Sequence, residues 1–265
     1  MSAPRFRRYV ALGDSHTEGV GDGDDHTGVR GWADRLADHL AGVEPELTYA
    51  NLAVRGRLAG QVRAEQLDAA LALRPDLATV LAGVNDLLRG EFDADAVGAH
   101  LDAMFTALIA QGATVVTFTV PDITRVIPAA RPLGGRIVAL NRHLRAATRH
   151  GVVVADIASH GVVTDPRLWS TDRLHCSPLG HERIAAALAE ALNVPGVDSS
   201  WSDPLQPPLP RRTALATVGG ELRWATAFLA PWLGRRITGR SSGDGRSAKR
   251  PQLQPVRPAL PFEAR

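Results

Sequence analysis

The chain has 265 residues, which at about 150 residues per domain allows one generous domain or one domain with an appendage and disfavours two equal domains. Hydrophobic residues make up 45% and charged residues 22%, a balance that supports a real core and excludes wholesale disorder and collagen-like repeats. The single cysteine, Cys176, can close no intramolecular disulfide and build no cysteine-rich zinc site, so a reducing compartment is expected.

Charge is divided along the chain. Gly196 to Arg265 holds 11 basic and 5 acidic residues, net +6, which leaves 19 basic against 23 acidic, net −4, for Met1 to Pro195. Lys249 is the only lysine, a bias of composition rather than a device. Arg5, Arg7 and Arg8 are followed by only four apolar residues, Tyr9 to Leu12. A signal-peptide core needs about 7–15 and a membrane span about 20, so a cytoplasmic location is expected.

From Tyr9 to Leu192 short apolar runs alternate with helical patterns, the signature of βαβ units. Strands are predicted over Tyr9 to Leu12, Leu47 to Asn51, Leu77 to Ala82, Thr114 to Val120 and Val152 to Ile157. Their unbroken hydrophobicity suits a parallel sheet covered on both faces. Helical patterns cover Gly31 to Ala41, Leu58 to Leu71 and Gly134 to His150. Asp93 to Gln111 sets Val97, Leu101, Met104 and Leu108 on one face and stops at Gly112. A last helix starts with Ser177 as N-cap and Pro178 in the first turn, and buries Ile184, Leu188 and Leu192. The prediction is a three-layer α/β/α sandwich, flavodoxin-like, on a five-stranded, mainly parallel sheet, with a site at the carboxyl ends of the strands.

After Pro195 the composition changes, and nine of the eighteen prolines fall in the last 70 residues. Residues 1–195 are therefore read as the principal domain and 196–265 as an extension. It carries one amphipathic helical pattern at about 215–233, in which Leu215, Val218, Leu222, Ala225, Leu229 and Trp232 recur every 3 or 4 residues. GRSSGDGRSAKRP after it is read as a flexible basic tail.

Four short blocks carry chemistry. The first strand runs into Gly13-Asp14-Ser15-His16-Thr17-Glu18-Gly19, which sets Ser15 at a buried strand's carboxyl end; taken alone, such a serine is more often a turn or cap residue. Gly56, in NLAVRGRLAG, follows the second strand, and Gly83-Val84-Asn85-Asp86 follows the third. A glycine N–H and an asparagine amide are neutral donors of the kind that a developing oxyanion needs, although a turn explains either one singly. Asp172-Arg173-Leu174-His175 follows the fifth strand, and an aspartate three residues before a histidine can reach its Nδ1 and leave Nε2 to take a proton.

All four blocks fall at one edge of the predicted sheet, and together they resemble the SGNH hydrolases, or GDSL-like lipases and esterases, over roughly Arg7 to Leu192. That family's blocks supply a serine, a glycine, an asparagine and a histidine in this order, with the aspartate of a DxxH motif. The resemblance implies Ser15 as nucleophile, His175 as general base and acid, and Asp172 as its orienter. It implies an oxyanion hole of the Ser15 N–H, the Gly56 N–H and the Asn85 side chain, and no cofactor. The expected activity is hydrolysis of carboxylic esters through an acyl-enzyme. A lysophospholipase, a thioesterase or a carbohydrate O-deacetylase would use the same site, and a lipid- or glycan-binding module without turnover is the alternative from another class.

The remaining candidates read as structure. Asp22, Asp24 and Asp25 lack the spacing of a calcium loop, and the other histidines form no metal cluster, so no metal is assigned. Cys176 reads as a packed residue. The helix bearing Trp224, Phe228, Trp232, Arg235 and Arg236 is expected to pack on the catalytic domain, with an anionic membrane surface as the alternative. No nucleic-acid motif accompanies the arginines.

Overall fold

Continuous apolar runs become strands and amphipathic stretches become the helices between them. The computed structural model describes residues 5–209, 219–221, 223–231 and 241–256. In chain order, β1 (Arg8–Gly13) leads into a single-turn helix, α1 (Ser15–Glu18), and a two-residue hairpin, β2 (Gly23–Asp24) and β3 (Gly28–Val29). Then come α2 (Trp32–Ala41), β4 (Thr48–Asn51), α3 (Ala59–Ala72), β5 (Leu77–Leu81) and the short α4 (Val84–Leu87). They are followed by α5 (Ala94–Ala110), β6 (Thr114–Phe118), α6 (Gly134–Ala146), β7 (Val153–Ala155), α7 (Pro178–Ala191) and β8 (Arg250–Pro255). The five predicted strands lie where expected, each within three residues at either end. The cap of α7 also forms as read, the Ser177 hydroxyl accepting from Gly180 N–H, and α5 is capped by the Asp93 carboxylate, which accepts from the N–H groups of Asp95 and Ala96.

The sheet order is β7-β6-β5-β1-β4-β8, parallel throughout except for β8. Moving out from β1 first to β4 and then back across to β5 places the first crossover helix on one face and the later ones on the other, given right-handed connections. Accordingly α2 packs with α7, while α3 packs with α5 and α5 with α6. Tyr9, Val10, Ala11 and Leu12 of β1 are wholly buried, as are Leu77, Ala78 and Val80 of β5. The central strands are therefore fixed on both faces, and their carboxyl ends hold the following loops at one edge.

Two readings of the extension change. The sheet has six strands instead of five, because part of the predicted flexible basic tail is β8 and the turn that leads into it. β8 pairs antiparallel with β4, matching Thr48 to Pro255 and Tyr49 to Gln254. Proline is tolerated on an edge strand, where one side of the backbone needs no partner, so Pro251 and Pro255 do not prevent pairing. The predicted helix is seen in part: residues 219–221 and 223–231 are helical, with Ala225–Leu229 wound as a π-helical turn. Trp224 is partly buried against the core, but Phe228 remains exposed, so the aromatics do not all dock. Leu215, Val218, Leu222, Trp232, Arg235 and Arg236 lie outside the described residues.

Candidate active site

Ser15 is the first residue of α1, directly after β1, and Asp14 caps that helix by accepting from the N–H of His16 at 3.1 Å. The turn between strand and helix is tight enough to need glycine: a Cβ at Gly13 would fall 2.3 Å from Thr17 Oγ1 and 2.6 Å from the Leu81 carbonyl. Buried Gln66 locks the same point, accepting from Gly13 N–H and donating to its carbonyl, both at 2.9 Å.

The Ser15 hydroxyl meets His175 Nε2 at 2.9 Å, and His175 Nδ1 meets Asp172 Oδ2 at 2.6 Å. With Nδ1–H donated to the carboxylate, Nε2 is left to accept the serine proton. The other carboxylate oxygen, Oδ1, accepts from Ser170 Oγ at 2.6 Å, Leu174 N–H at 2.9 Å and His175 N–H at 3.0 Å. Burial alone would push the Asp172 carboxyl up, yet the bonds and charge of His175 outweigh it and hold the group well below the usual carboxylate range. Asp172 therefore stays ionised and serves as a fixed acceptor.

The donors expected for an oxyanion are in different states. Among the described residues no backbone or side-chain acceptor is bonded to the N–H of Ser15 or of Gly56. Asn85, at the start of α4, has both amide hydrogens engaged, one with Asp14 Oδ2 at 3.0 Å and one with the Arg57 carbonyl at 3.1 Å. Asp14 is wholly buried, and that burial raises its carboxyl to about 7 despite the His16 N–H and the nearby His175.

Two other neighbours of His175 stay uncharged at neutral pH. His16, whose ring lies 5.3 Å from that of His175, is lowered to about 3 by burial and by the other histidines. Burial pushes the Cys176 thiol up to about 12, so it is a packed thiol at neutral pH. Both line an apolar pocket, with Leu81, Val84, Leu87, Phe118, Ile137 and Leu174 among its walls. The three aspartates of the 22–25 loop are taken by Arg35, by the N–H groups of His26 and Thr27, and by Arg55 and Arg246.

With this geometry in place, comparison with known proteins is informative. The sequence matches the GDSL-like Lipase/Acylhydrolase family over residues 11–183, well over half its length. The chain belongs to this family. As a GDSL-type hydrolase it is an esterase or lipase acting on small-molecule esters. No curated protein matches it significantly. Solved structures resemble it in fold. An α/β hydrolase from the metagenome of Lake Arreo, Spain, has 21% identity and a TM-score of 0.60, covering 73% of this chain and 97% of its own. The lipase/acylhydrolase from Enterococcus faecalis has 22% identity and a TM-score of 0.58, covering 71% and 96%. Axe2, an acetylxylan esterase from Geobacillus stearothermophilus, has 19% identity and a TM-score of 0.59, covering 75% and 100%.

Within this GDSL-type hydrolase, the sequence reading missed Glu18 and Arg55, which join two of the blocks, whereas Asp14 reads from the sequence as a hydrogen-bonded structural carboxylate beside Ser15. Glu18 accepts from Arg55 at its backbone N–H (2.7 Å), Nε (2.9 Å) and Nη2 (2.6 Å), which ties the serine block to the loop bearing Gly56. Asp14 similarly joins the serine block to Asn85. Glu18 and Arg55 are charged residues close to a chemical motif, and burial is the property that sets them apart from surface charges; single positions in a turn carry no periodicity from which burial can be read.

Proposed function

We propose that Ser15, His175 and Asp172 are the triad of a serine ester hydrolase, which forms and then hydrolyses an acyl-enzyme. The observation that carries this reading is the unbroken run of hydrogen bonds from the Ser15 hydroxyl through both nitrogens of His175 to Asp172. Ser15 Oγ attacks the ester carbonyl as His175 Nε2 takes its proton, and the carbonyl oxygen becomes an oxyanion. The N–H groups of Ser15 and Gly56 donate to it, and Asn85 joins them by turning one amide hydrogen away from the Arg57 carbonyl. Collapse of the tetrahedral intermediate expels the alcohol, which leaves with the proton returned by His175. A water then gives its proton to His175 and attacks the acyl carbon, and the second collapse restores Ser15 and releases the acid.

The apolar pocket lined by His16 and Leu174, the residues next to Ser15 and His175 in the chain, is assigned to the acyl group. The hydrolase unit is assigned to residues 1–195 and the extension to residues 196–265.

The test is covalent. An organophosphonate should add once, at Ser15, and Ser15→Ala should lose both the adduct and turnover, with kcat down by about 10⁵-fold or more, in line with removing a triad nucleophile. Esterase activity retained in pure Ser15→Ala protein would overturn the assignment.

A further inference from the structure

The extension touches the site at two separate places. Trp224 Nε1 donates to the backbone carbonyl of Asp172 at 2.9 Å. Glu221, three residues before it in the chain, pairs with Arg173 Nη1 at 2.6 Å, and the Arg173 guanidinium lies 5.2 Å from the centre of the Trp224 ring. Some 20 residues on, the turn at 241–244 lies on the loop that bears Gly56. A Cβ at Gly56 would fall 2.2 Å from Ser241 Oγ, and one at Gly243 would fall 2.0 Å from the Arg55 carbonyl.

The turn gripped by the helix is one that needs support. Arg173 has φ +58°, the left-handed region that non-glycine residues rarely occupy, and it stands between Asp172 and His175. The 2.6 Å contact between those two side chains exists only while the backbone keeps that shape. From inside the turn, the Asp172 carboxylate holds the N–H groups of Leu174 and His175. From outside, the contacts are those of Trp224 and Glu221.

We propose that the C-terminal extension is a working part of the active site. Trp224 and Glu221 hold the Asp172–His175 turn in register with Ser15, while the 241–244 turn backs the Gly56 loop, so one segment braces both the base and the oxyanion side. Trp224 and Glu221 touch no reacting atom and are positioning residues. The inference rests on the triad proposed above and adds to it, because the family match ends at residue 183 and the three structures named above cover at most 75% of this chain while using 96–100% of their own.

The experiment uses the full chain. Trp224→Phe keeps an aromatic face for Arg173 and deletes the N–H donor, Trp224→Ala deletes both, and Glu221→Gln removes the charge opposite Arg173. For each, kcat and KM on a short water-soluble ester are measured with the melting temperature and the far-downfield NMR signal of the His175–Asp172 hydrogen bond, with Ser15→Ala in parallel. Trp224→Ala is expected to lower kcat about tenfold with KM within about twofold, since misplacement of a reacting group falls on the chemical step. Trp224→Phe and Glu221→Gln are expected to show part of that loss, and the downfield signal should weaken in the same order. Wild-type kcat and an unaltered signal in Trp224→Phe and Glu221→Gln would overturn the proposal even if Trp224→Ala failed to fold. An inactive Ser15→Ala beside unaffected Trp224 and Glu221 variants rejects the brace alone, whereas an active Ser15→Ala rejects the triad itself.

Discussion

The central sheet and the extension are held together by different physics. Tyr9 to Leu12 of β1 and, apart from Thr79, Leu77 to Leu81 of β5 are apolar and buried on both faces, so their place is set by water exclusion and their sequence advertises it. β8 has mostly exposed side chains and enters the same sheet through backbone bonds to β4. It is secured by Arg250 Nε donating to the Tyr49 carbonyl at 2.8 Å, with the guanidinium 5.1 Å from the Tyr49 ring centre. Arg246 on Asp25 and Lys249 on Asp34 add ion pairs, so the positive extension meets the negative hydrolase unit at specific carboxylates. A segment of the second kind can be ordered without looking ordered in sequence.

If that contrast holds, damage inside the sheet's loops should be severe and damage to the polar pins mild. After Ser15 itself, the largest effect is expected at Asn85. Asn85→Ala should lower kcat by about 10²–10³-fold, the usual loss of one oxyanion donor in a site closed to water. Because Asn85 also satisfies Asp14 and Arg57, the folded state must be checked by its melting curve. Unchanged kcat in a folded variant would reduce Asn85 to a structural link between loops.

The site and its scaffold were unequally legible. Strands such as Leu77–Leu81 and caps such as Ser177 follow from local pattern, because burial on both faces and an orphan N–H each select residue types. Ser15, Gly56, Asn85 and the Asp172–His175 pair were singled out because four loops share one sheet edge, which parallel topology guarantees once the strands are placed, and because together they resemble the SGNH blocks. Glu18 and Arg55 act across loops with no fixed sequence spacing, so no periodicity points to them; the helical pattern of the extension points to Trp224 as a packing residue, but not to its bond with the Asp172 carbonyl. β8 was missed for a related reason: PQLQP has proline and glutamine where a strand is usually β-branched, and only pairing with β4 makes it one.

A smaller effect separates the hydrolase unit from the extension by pH. His181 in α7 is wholly buried, its Nδ1 accepting from Trp32 N–H at 3.1 Å and its Nε2 facing the Val20 carbonyl at 3.2 Å. Burial lowers it from 6.5 to about 4, so the folded protein keeps it neutral where the unfolded chain binds a proton. Its contribution is thus full above about pH 6.5 and lost as pH falls toward 4, up to about 3 kcal/mol across that window. Urea midpoints taken between pH 7 and 4 should fall for the wild type and fall less steeply for His181→Gln. Equal slopes would mean that the acid sensitivity of this unit lies elsewhere.

The smallest effect should come from the pins themselves. The side chains of Arg246 and Asp25 are 38% and 50% exposed, and those of Lys249 and Asp34 are 21% and 20% exposed. Such pairs contribute about 0.2–1 kcal/mol each, and salt screens the more exposed one further. The double variant Arg246→Ala with Lys249→Ala should therefore leave global stability within about 2 kcal/mol of wild type. Its consequence should be local, because β8 also keeps the Val256 N–H bond to the Leu47 carbonyl at 3.1 Å and buries Val256. Hydrogen exchange at residues 250–256 should speed up in the variant while exchange in β1 and β5 does not change, and high salt should bring the wild type toward the variant. If salt and the double variant both left exchange in β8 unaltered, the ion pairs would be incidental, and backbone pairing with the Val256 contact would suffice to dock the extension. If β1 and β5 sped up as well, the edge strand would be cooperative with the core, and the two regions would differ in sequence pattern but not in stability.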